Sequence, residues 1–181
     1  MAEVTKNLHG VNALARAAQF FSSVLKDAGT GEAIVDQAIA VNANSFEARR
    51  IRCFASVFLG QHEPAIEQFQ RAMRLNPLDP QTFRVEHGLA MANFFMHRFE
   101  IALSWETKSV AHQRNFGPSL RWAMFSYAML DRIADAQMMR ARLREAGADM
   151  TISQIKKWTG VQRREDVELM VEACRIAGVP E

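Results

Sequence analysis

The sequence has little cysteine, no long apolar run and almost no net charge, and each of these absences excludes a class of protein. Its two cysteines, Cys53 and Cys174, cannot supply the disulfide framework of a small secreted domain, so we expect free thiols in a reducing compartment. No stretch approaches the roughly 18 apolar residues that identify a membrane span. The net charge of +2 gives no general attraction to nucleic acid or to an anionic membrane. We therefore expect a cytoplasmic protein that does not bind or enter a membrane.

Motifs of catalysis and of metal binding are also missing. The chain contains no glycine-rich phosphate loop, no G-x-S-x-G elbow and no H-E-x-x-H zinc motif. No two of its five histidines stand three or four residues apart, and no cysteine or carboxylate completes a zinc-like spacing. We therefore expect a protein that is not an enzyme and needs no metal and no cofactor.

One basic cluster, Lys156-Lys157-Trp158 followed by Arg163-Arg164, combines positive charge with an aromatic ring. Such clusters can bind phosphate backbones and stack on bases. Four carboxylates follow at positions 165, 166, 168 and 172 and weaken its field. The cluster is therefore interpreted as a solvated surface, and nucleic acid is not an expected partner.

What the sequence does contain is a repeat. Gly31, Ala65, Ala102 and Ala136 stand 34, 37 and 34 residues apart, and each opens a segment with the apolar pattern of a short amphipathic helix. A period in this range is typical of stacked helical repeats. Hydrophobic content of 49% and charged content of 23% are those of an ordinary folded protein.

The clearest copy of the repeat covers residues 44–79. Ser45 is placed to cap a first helix over Phe46 to Leu59, and Gly60 is placed to end it. A second helix follows, and Pro77 stops it because proline cannot continue a helix. The apolar stripe of this second helix consists of Ala65, Ile66, Phe69, Ala72 and Met73.

The skeleton formed by Gly60, Ala65, Phe69, Ala72 and Pro77 resembles that of a tetratricopeptide repeat. Tyr127 and Ala136 match it in the fourth copy and Ala102 in the third, whereas Arg49 and Cys53 depart from it in the second. Glu106 and Arg140 depart too, since they stand where the second copy has Phe69.

The downstream runs RLNPLDPQTFRVEHGLAMANFF, NFGPSLRWAMFSYAMLDRIADA and RREDVELMVEACRIAGVPE suggest a narrower resemblance. They are similar to the C-terminal tetratricopeptide region of bacterial regulators that carry a class III adenylate cyclase-like or winged-helix domain. This similarity covers about residues 30–181.

The resemblance implies an all-α, right-handed superhelix, an α-solenoid of about four helix pairs. Repeats are expected over residues 11–43, 44–79, 80–115 and 116–148, which together form a domain of residues 1–148. Two capping helices are expected over 149–181. Asp149 or Thr151 begins the first of these, Ile152 to Trp158, and the second runs from about Glu165 to Ala177.

In tetratricopeptide arrays the first helices line a concave groove, and two series of residues recur on these helices. Fifteen residues before the four small residues stand Arg16, Arg50, His87 and Arg121, and eleven before stand Phe20, Phe54, Met91 and Phe125. Residues four apart share a helix face. The predicted groove residues are Arg16, Arg50, Phe54, Arg84, His87, Met91, Phe94, Arg121 and Phe125.

These series favour a module that binds a protein or peptide partner, and the basic one favours an acidic partner. In a regulatory setting it would relay the partner's presence to an output domain. Alternatively, the phenylalanines pack between repeats and the arginines are merely solvated. Two other functions are a homodimerisation module and a small-molecule sensor domain of a cyclase or transcription regulator. The sensor pocket would be enclosed by Phe54, Met91, Phe94 and Trp122.

Overall fold

The structure is a computed structural model that describes the backbone of residues 2–181 and the side chains of residues 10–157 and 159–181. The side chains of His9 and Trp158 therefore lie outside the described part. The described backbone forms helices joined by short turns, and no strand occurs in it. The helices are α1 (Ala2–Ser23), α2 (Ala28–Val41), α3 (Phe46–Phe58), α4 (His62–Leu75), α5 (Thr82–Phe95), α6 (Phe99–His112), α7 (Gly117–Met129), α8 (Ile133–Glu145), α9 (Ile152–Trp158) and α10 (Arg164–Ile176).

Two helix starts confirm predicted caps. The Ser45 hydroxyl accepts a hydrogen bond from the backbone N–H of Ala48 at the start of α3. Of the two predicted caps of α9, Asp149 and Thr151, it is Thr151 that caps the helix. Its hydroxyl accepts a hydrogen bond from the backbone N–H of Gln154, and the Gln154 side chain accepts one from the backbone N–H of Thr151. Two otherwise unsatisfied N–H groups are thus paired reciprocally. Asp149 forms ion pairs instead.

The turn inside each helix pair contains one residue with positive φ at a fixed place. Lys26, Gly60, His97 and Asp131 have φ values of 57°, 81°, 57° and 58°, and each stands five residues before the small residue of its copy. This left-handed conformation ends a helix and is easiest for glycine. The helix-ending role predicted for Gly60 is confirmed, and in the other copies residues with side chains adopt the same conformation.

The small residues that define the repeat lie where the two helices of a pair meet. Ala65, Ala102 and Ala136 are completely buried, and Gly31 is buried as well. A Cβ atom on Gly31 would lie 2.0 Å from Ser22 Oγ and 2.7 Å from the backbone oxygen of Ala18. The first pair therefore packs more closely than an alanine would allow.

The chain divides into two compact units. Unit 1 contains residues up to Asn76 together with 158–163, and unit 2 contains 77–157 and 164–181. In unit 1, α3 packs against both α1 and α2, over an apolar core that includes Val11, Val35 and Ile51. In unit 2, α6 packs against α5 and α7, and α8 packs against α7. Consecutive helices therefore stack in order within each unit.

The last helix departs from this order. A helix that continued the array would pack chiefly against α8, as α3 packs against α2 and α7 against α6. Instead α10 packs against α7, the first helix of the preceding pair. Arg140, on α8, fixes the end of α10 by donating to the carbonyl oxygen of Gly178 and by pairing with Asp149 at 3.5 Å.

Candidate functional site

Unit 1 presents an exposed apolar stripe on α1. Phe20, in the last turn of α1, is 50% exposed, and Val24 and Leu25, which directly follow the helix, are 60% and 52% exposed. Arg16 lies one turn before Phe20 and is exposed. Arg16 and Phe20 share one face of α1 because they stand four residues apart, so a positive charge borders the exposed Phe20 side chain.

On α3 the corresponding residues are more enclosed. Arg50 is only 4% exposed, and both Nε and an Nη atom donate to the carboxylate of Glu47, at 3.0 and 2.7 Å. Its guanidinium also lies over the ring of Phe54, 5.7 Å from the centroid. Phe54 itself packs against Phe58 and edge-on against Phe69. Arg50 and Phe54 thus meet as the spacing implied, but the Glu47 carboxylate neutralises the charge of Arg50.

In unit 2, Arg84 is half-buried beside two aromatic rings. Its guanidinium lies 5.1 Å from the ring centroid of Phe83 and 5.2 Å from that of Phe116, and Nε donates to the side chain of Gln81. Arg84 is therefore held in place by stacking, with part of its surface open to solvent.

His87 faces the interior of its helix pair. Its Nδ1 lies 2.8 Å from Oε1 of Glu106 on α6, and both side chains are buried. Oε2 of Glu106 has no hydrogen-bond partner. The hydroxyl of the neighbouring Ser119 is hydrogen-bonded to Ser109 and also acts to lower the pKa of Glu106. His87 is occupied inside the protein and does not point at a partner.

Burial raises the pKa of Glu106, and the nearby Glu86 carboxylate acts in the same direction. His87 opposes this shift by its charge and its hydrogen bond. Desolvation is the largest of these effects, so the protonated carboxyl is favoured relative to an exposed glutamate. Glu106, which departs from the repeat pattern in the third copy, is therefore one member of a buried polar pair with His87.

Met91, Phe94 and Phe125, which were predicted to line a groove, are buried in unit 2. Phe94 and Phe125 are 0% exposed and Met91 is buried. The cause lies in α5, where every residue from Val85 to Phe95 is buried, so the helix has no solvent face along this stretch. The alternative interpretation, that these side chains pack inside the protein, is the one the structure supports.

Three of the four residues proposed to enclose a sensor pocket, Met91, Phe94 and Trp122, lie in unit 2 and are buried there. The Trp122 ring stands nearly perpendicular to that of Phe94, with centroids 5.2 Å apart, and contacts Phe95 and Phe125 at 5.1 and 5.4 Å. His87 contacts Trp122 at 6.4 Å. Edge-to-face contacts of this kind stabilise an aromatic core.

Arg121 is partly enclosed by the C-terminal segment. Its guanidinium donates to the carbonyl oxygen of Ala148 at 2.9 Å. Burial lowers the pKa of Arg121, and Cys174 on α10 and Asp149 are close enough to oppose that shift. The face of α7 that was predicted to line a groove is therefore the face that meets the chain's own last helix.

Sequence reasoning missed two features of unit 1. Glu47 stands three residues before Arg50, and this helical spacing was the signal for their ion pair. Residues 159–163, which were assigned to a cap, belong to unit 1 and contact the ends of its helices. No local pattern announces that contact, because the residues lie about 100 positions apart.

Among the described residues, no three histidine, cysteine, aspartate or glutamate residues come together as a metal site. No helix in the described part is both long enough and apolar enough to cross a membrane. Cys53 and Cys174 are free, and burial raises the pKa of both thiols to about 12. Neither thiol therefore has the character of a nucleophile.

Several solved structures share the fold. A tetratricopeptide protein of Thermus thermophilus has a TM-score of 0.65 at 17% identity, covering 93% of this chain and 92% of its own. PilF of Pseudomonas aeruginosa also has a TM-score of 0.65, at 15% identity, covering 91% and 73%. YrrB, described as a tetratricopeptide protein with an unusual peptide-binding site, has 0.53 at 15% identity, covering 98% and 91%.

These similarities confirm the predicted fold class, an all-α solenoid of the tetratricopeptide type. No family model matches the sequence, and no curated protein matches it. The narrower resemblance to cyclase-like and winged-helix regulators has no support among them.

Proposed function

We propose that this protein is a non-enzymatic interaction module that binds a peptide or protein segment on the α1 face of unit 1. One observation carries the proposal, namely the apolar stripe of Phe20, Val24 and Leu25 with Arg16 at its border. Contiguous exposed apolar surface bordered by charge is typical of interaction sites. YrrB, with the same fold and a peptide-binding site, supports the general class of function.

The chemistry of the stripe favours a partner with apolar anchors and a carboxylate. Arg16 is the basic residue of the predicted groove that is exposed, so an acidic group would pair with it. Arg50 is paired with Glu47, and Arg121 donates to Ala148. Neither of these two is expected to contribute much to binding. Of the predicted groove residues, Arg16 with its apolar neighbours is therefore the main candidate for binding the partner, and Arg84 is a secondary one.

The experiment is selection of binding peptides from a random phage library, with peptides of about 12 residues, against the full chain. We expect enriched peptides that combine aromatic or aliphatic residues with Asp or Glu. The double variant Arg16→Ala/Phe20→Ala should weaken their binding at least about tenfold, more at low than at high ionic strength. The matched control is Arg71→Ala/Leu75→Ala, an exposed pair at the same spacing on α4.

Equal affinity of the wild type and both double variants would contradict the assignment of the site. Self-association through the stripe would instead give a molecular mass that rises with concentration in light scattering and falls to that of a monomer in the Phe20→Ala variant. That outcome would favour a homodimerisation module. A regulatory setting and a cytoplasmic location belong to the same proposal, and the free buried thiols agree with a reducing compartment.

A further inference from the structure

Residues 159–163 lie across the ends of α1 and α3 as a short non-helical segment. Gly160 contacts both helices. A Cβ atom on Gly160 would lie 2.8 Å from the backbone oxygen of Ser22 and 3.1 Å from Cε2 of Phe58. Backbone oxygen cannot yield as a flexible side chain can, so the segment fits here only because residue 160 has no side chain.

The next contacts are hydrogen bonds to the ends of the two helix pairs. The backbone N–H of Gln162 donates to the carbonyl oxygen of Phe58 at 3.0 Å. Its side-chain amide donates to the carbonyl oxygen of Lys26 at 2.9 Å. Phe58 is the last residue of α3, and the last carbonyls of a helix have no partner within it. The segment therefore satisfies acceptors that the helices leave open.

Arg163 completes the contact beside the turn between α3 and α4. Its Cδ and Cγ atoms lie 1.8 and 2.7 Å from the place where a Cβ of Gly60 would be. Val161 is buried between these contacts. Four consecutive residues thus supply a bare backbone, an apolar side chain, an amide and a long basic side chain.

We propose that the ends of α1 and α3 form a docking site for a non-helical peptide with the order glycine, small apolar residue, glutamine, arginine. The chain's own residues 160–163 occupy this site, and a partner segment of the same chemistry binds by displacing them. The hydrogen bonds go to backbone carbonyl oxygens, and the space at position 160 admits only glycine. A short segment of another protein could therefore meet the same requirements. The site shares no residue with Arg16, Phe20 or Val24 and does not rest on the function proposed above.

The test uses a fluorescein-labelled heptapeptide with the sequence of residues 158–164 and the full-length protein. Occupation by the chain's own segment lowers the apparent affinity for an outside peptide by the fraction of molecules with an open site. In fluorescence anisotropy, the heptapeptide should therefore bind the Gly160→Leu protein at least about tenfold more tightly than the wild type. The same heptapeptide with leucine at the glycine position should bind neither protein.

Equal affinity of the heptapeptide for the wild type and for Gly160→Leu would overturn the proposal, as would equal binding of the glycine and leucine peptides. Circular dichroism establishes that Gly160→Leu keeps its helical content. If it does not, Gln162→Ala takes its place, since this variant loses only the bond to Lys26. It should bind the heptapeptide more tightly than the wild type, and no gain would overturn the proposal. Arg16→Ala/Phe20→Ala should bind the heptapeptide as the wild type does, which separates this site from the α1 stripe.

Discussion

The buried pair of His87 and Glu106 gives the sharpest prediction about stability. Glu106 is 0% exposed, and Oε1 of its carboxyl is hydrogen-bonded to Nδ1 of His87 at 2.8 Å. His87→Leu would remove the hydrogen-bonding partner of Oε1 of this buried carboxyl and should lower the free energy of unfolding by about 1–3 kcal/mol. Glu106→Leu would leave an unsatisfied imidazole nitrogen and should lower it by about 1–3 kcal/mol.

Replacement of both partners has a different consequence. The double variant His87→Leu/Glu106→Leu removes both members of the pair together, so its stability should lie within about 1 kcal/mol of the wild type. Urea unfolding followed by circular dichroism and by tryptophan fluorescence measures all four proteins, and similar slopes would show that the variants unfold alike. Losses in the double variant that equal the combined losses of the single variants would refute the reasoning, because the two side chains would then act independently.

The same carboxyl should make stability depend on pH. Burial raises the pKa of Glu106 above its ordinary value of 4.5, so the folded state binds this proton more tightly than the unfolded state. Its contribution to stability is complete below pH 4.5 and is lost as the pH rises through the folded-state pKa. Glu106→Gln should lack this loss, so its stability relative to the wild type should rise across that range. Parallel stability curves for the two proteins would refute the shift.

Three further predictions concern other parts of the chain. Gly31→Ala should lower the free energy of unfolding in urea by about 1–3 kcal/mol, because the added Cβ would collide with Ser22 and with the backbone of Ala18. Gly10→Ala is the control and should not destabilise the protein, because a Cβ there has no neighbouring atom within 4 Å. Arg140→Ala removes the hydrogen-bond donor to Gly178 and the ion-pair partner of Asp149, so amide hydrogen exchange should become faster at the end of α10 but not in α1. Unchanged exchange at the end of α10 would contradict the role of Arg140. Cys53 and Cys174, with pKa values raised to about 12, should resist Ellman's reagent at about pH 8 until urea is added, and rapid labelling of the folded protein would show that they are accessible.

Local sequence patterns predicted the helices well. Ser45 and Gly60 bound α3 within one residue of the expected limits, and Pro77 follows the end of α4 as expected. The last helix, expected from Glu165 to Ala177, runs from Arg164 to Ile176. Caps, proline and apolar spacing act within a few residues, so their effect can be read along the chain.

The candidate site was harder to predict because burial depends on packing. Phe20 and Phe125 occupy the same place in their copies, yet Phe20 is half exposed and Phe125 is completely buried. The period assigns them equal positions, but only Phe125 lies on a helix against which α10 packs. Arg16 and Arg50 differ in the same way, since Arg16 is exposed whereas Arg50 is buried and paired with Glu47.

The sequence by itself determined the all-helical repeat, because a period of small residues with matching turns requires helix pairs to stack. It also placed each helix and its apolar face, because these follow from spacings of three and four residues. Tertiary structure decided which of those faces stay open. The C-terminal segment brings residues 158–163 onto unit 1 and α10 onto α7, and contacts between residues so distant in the chain leave no local signal.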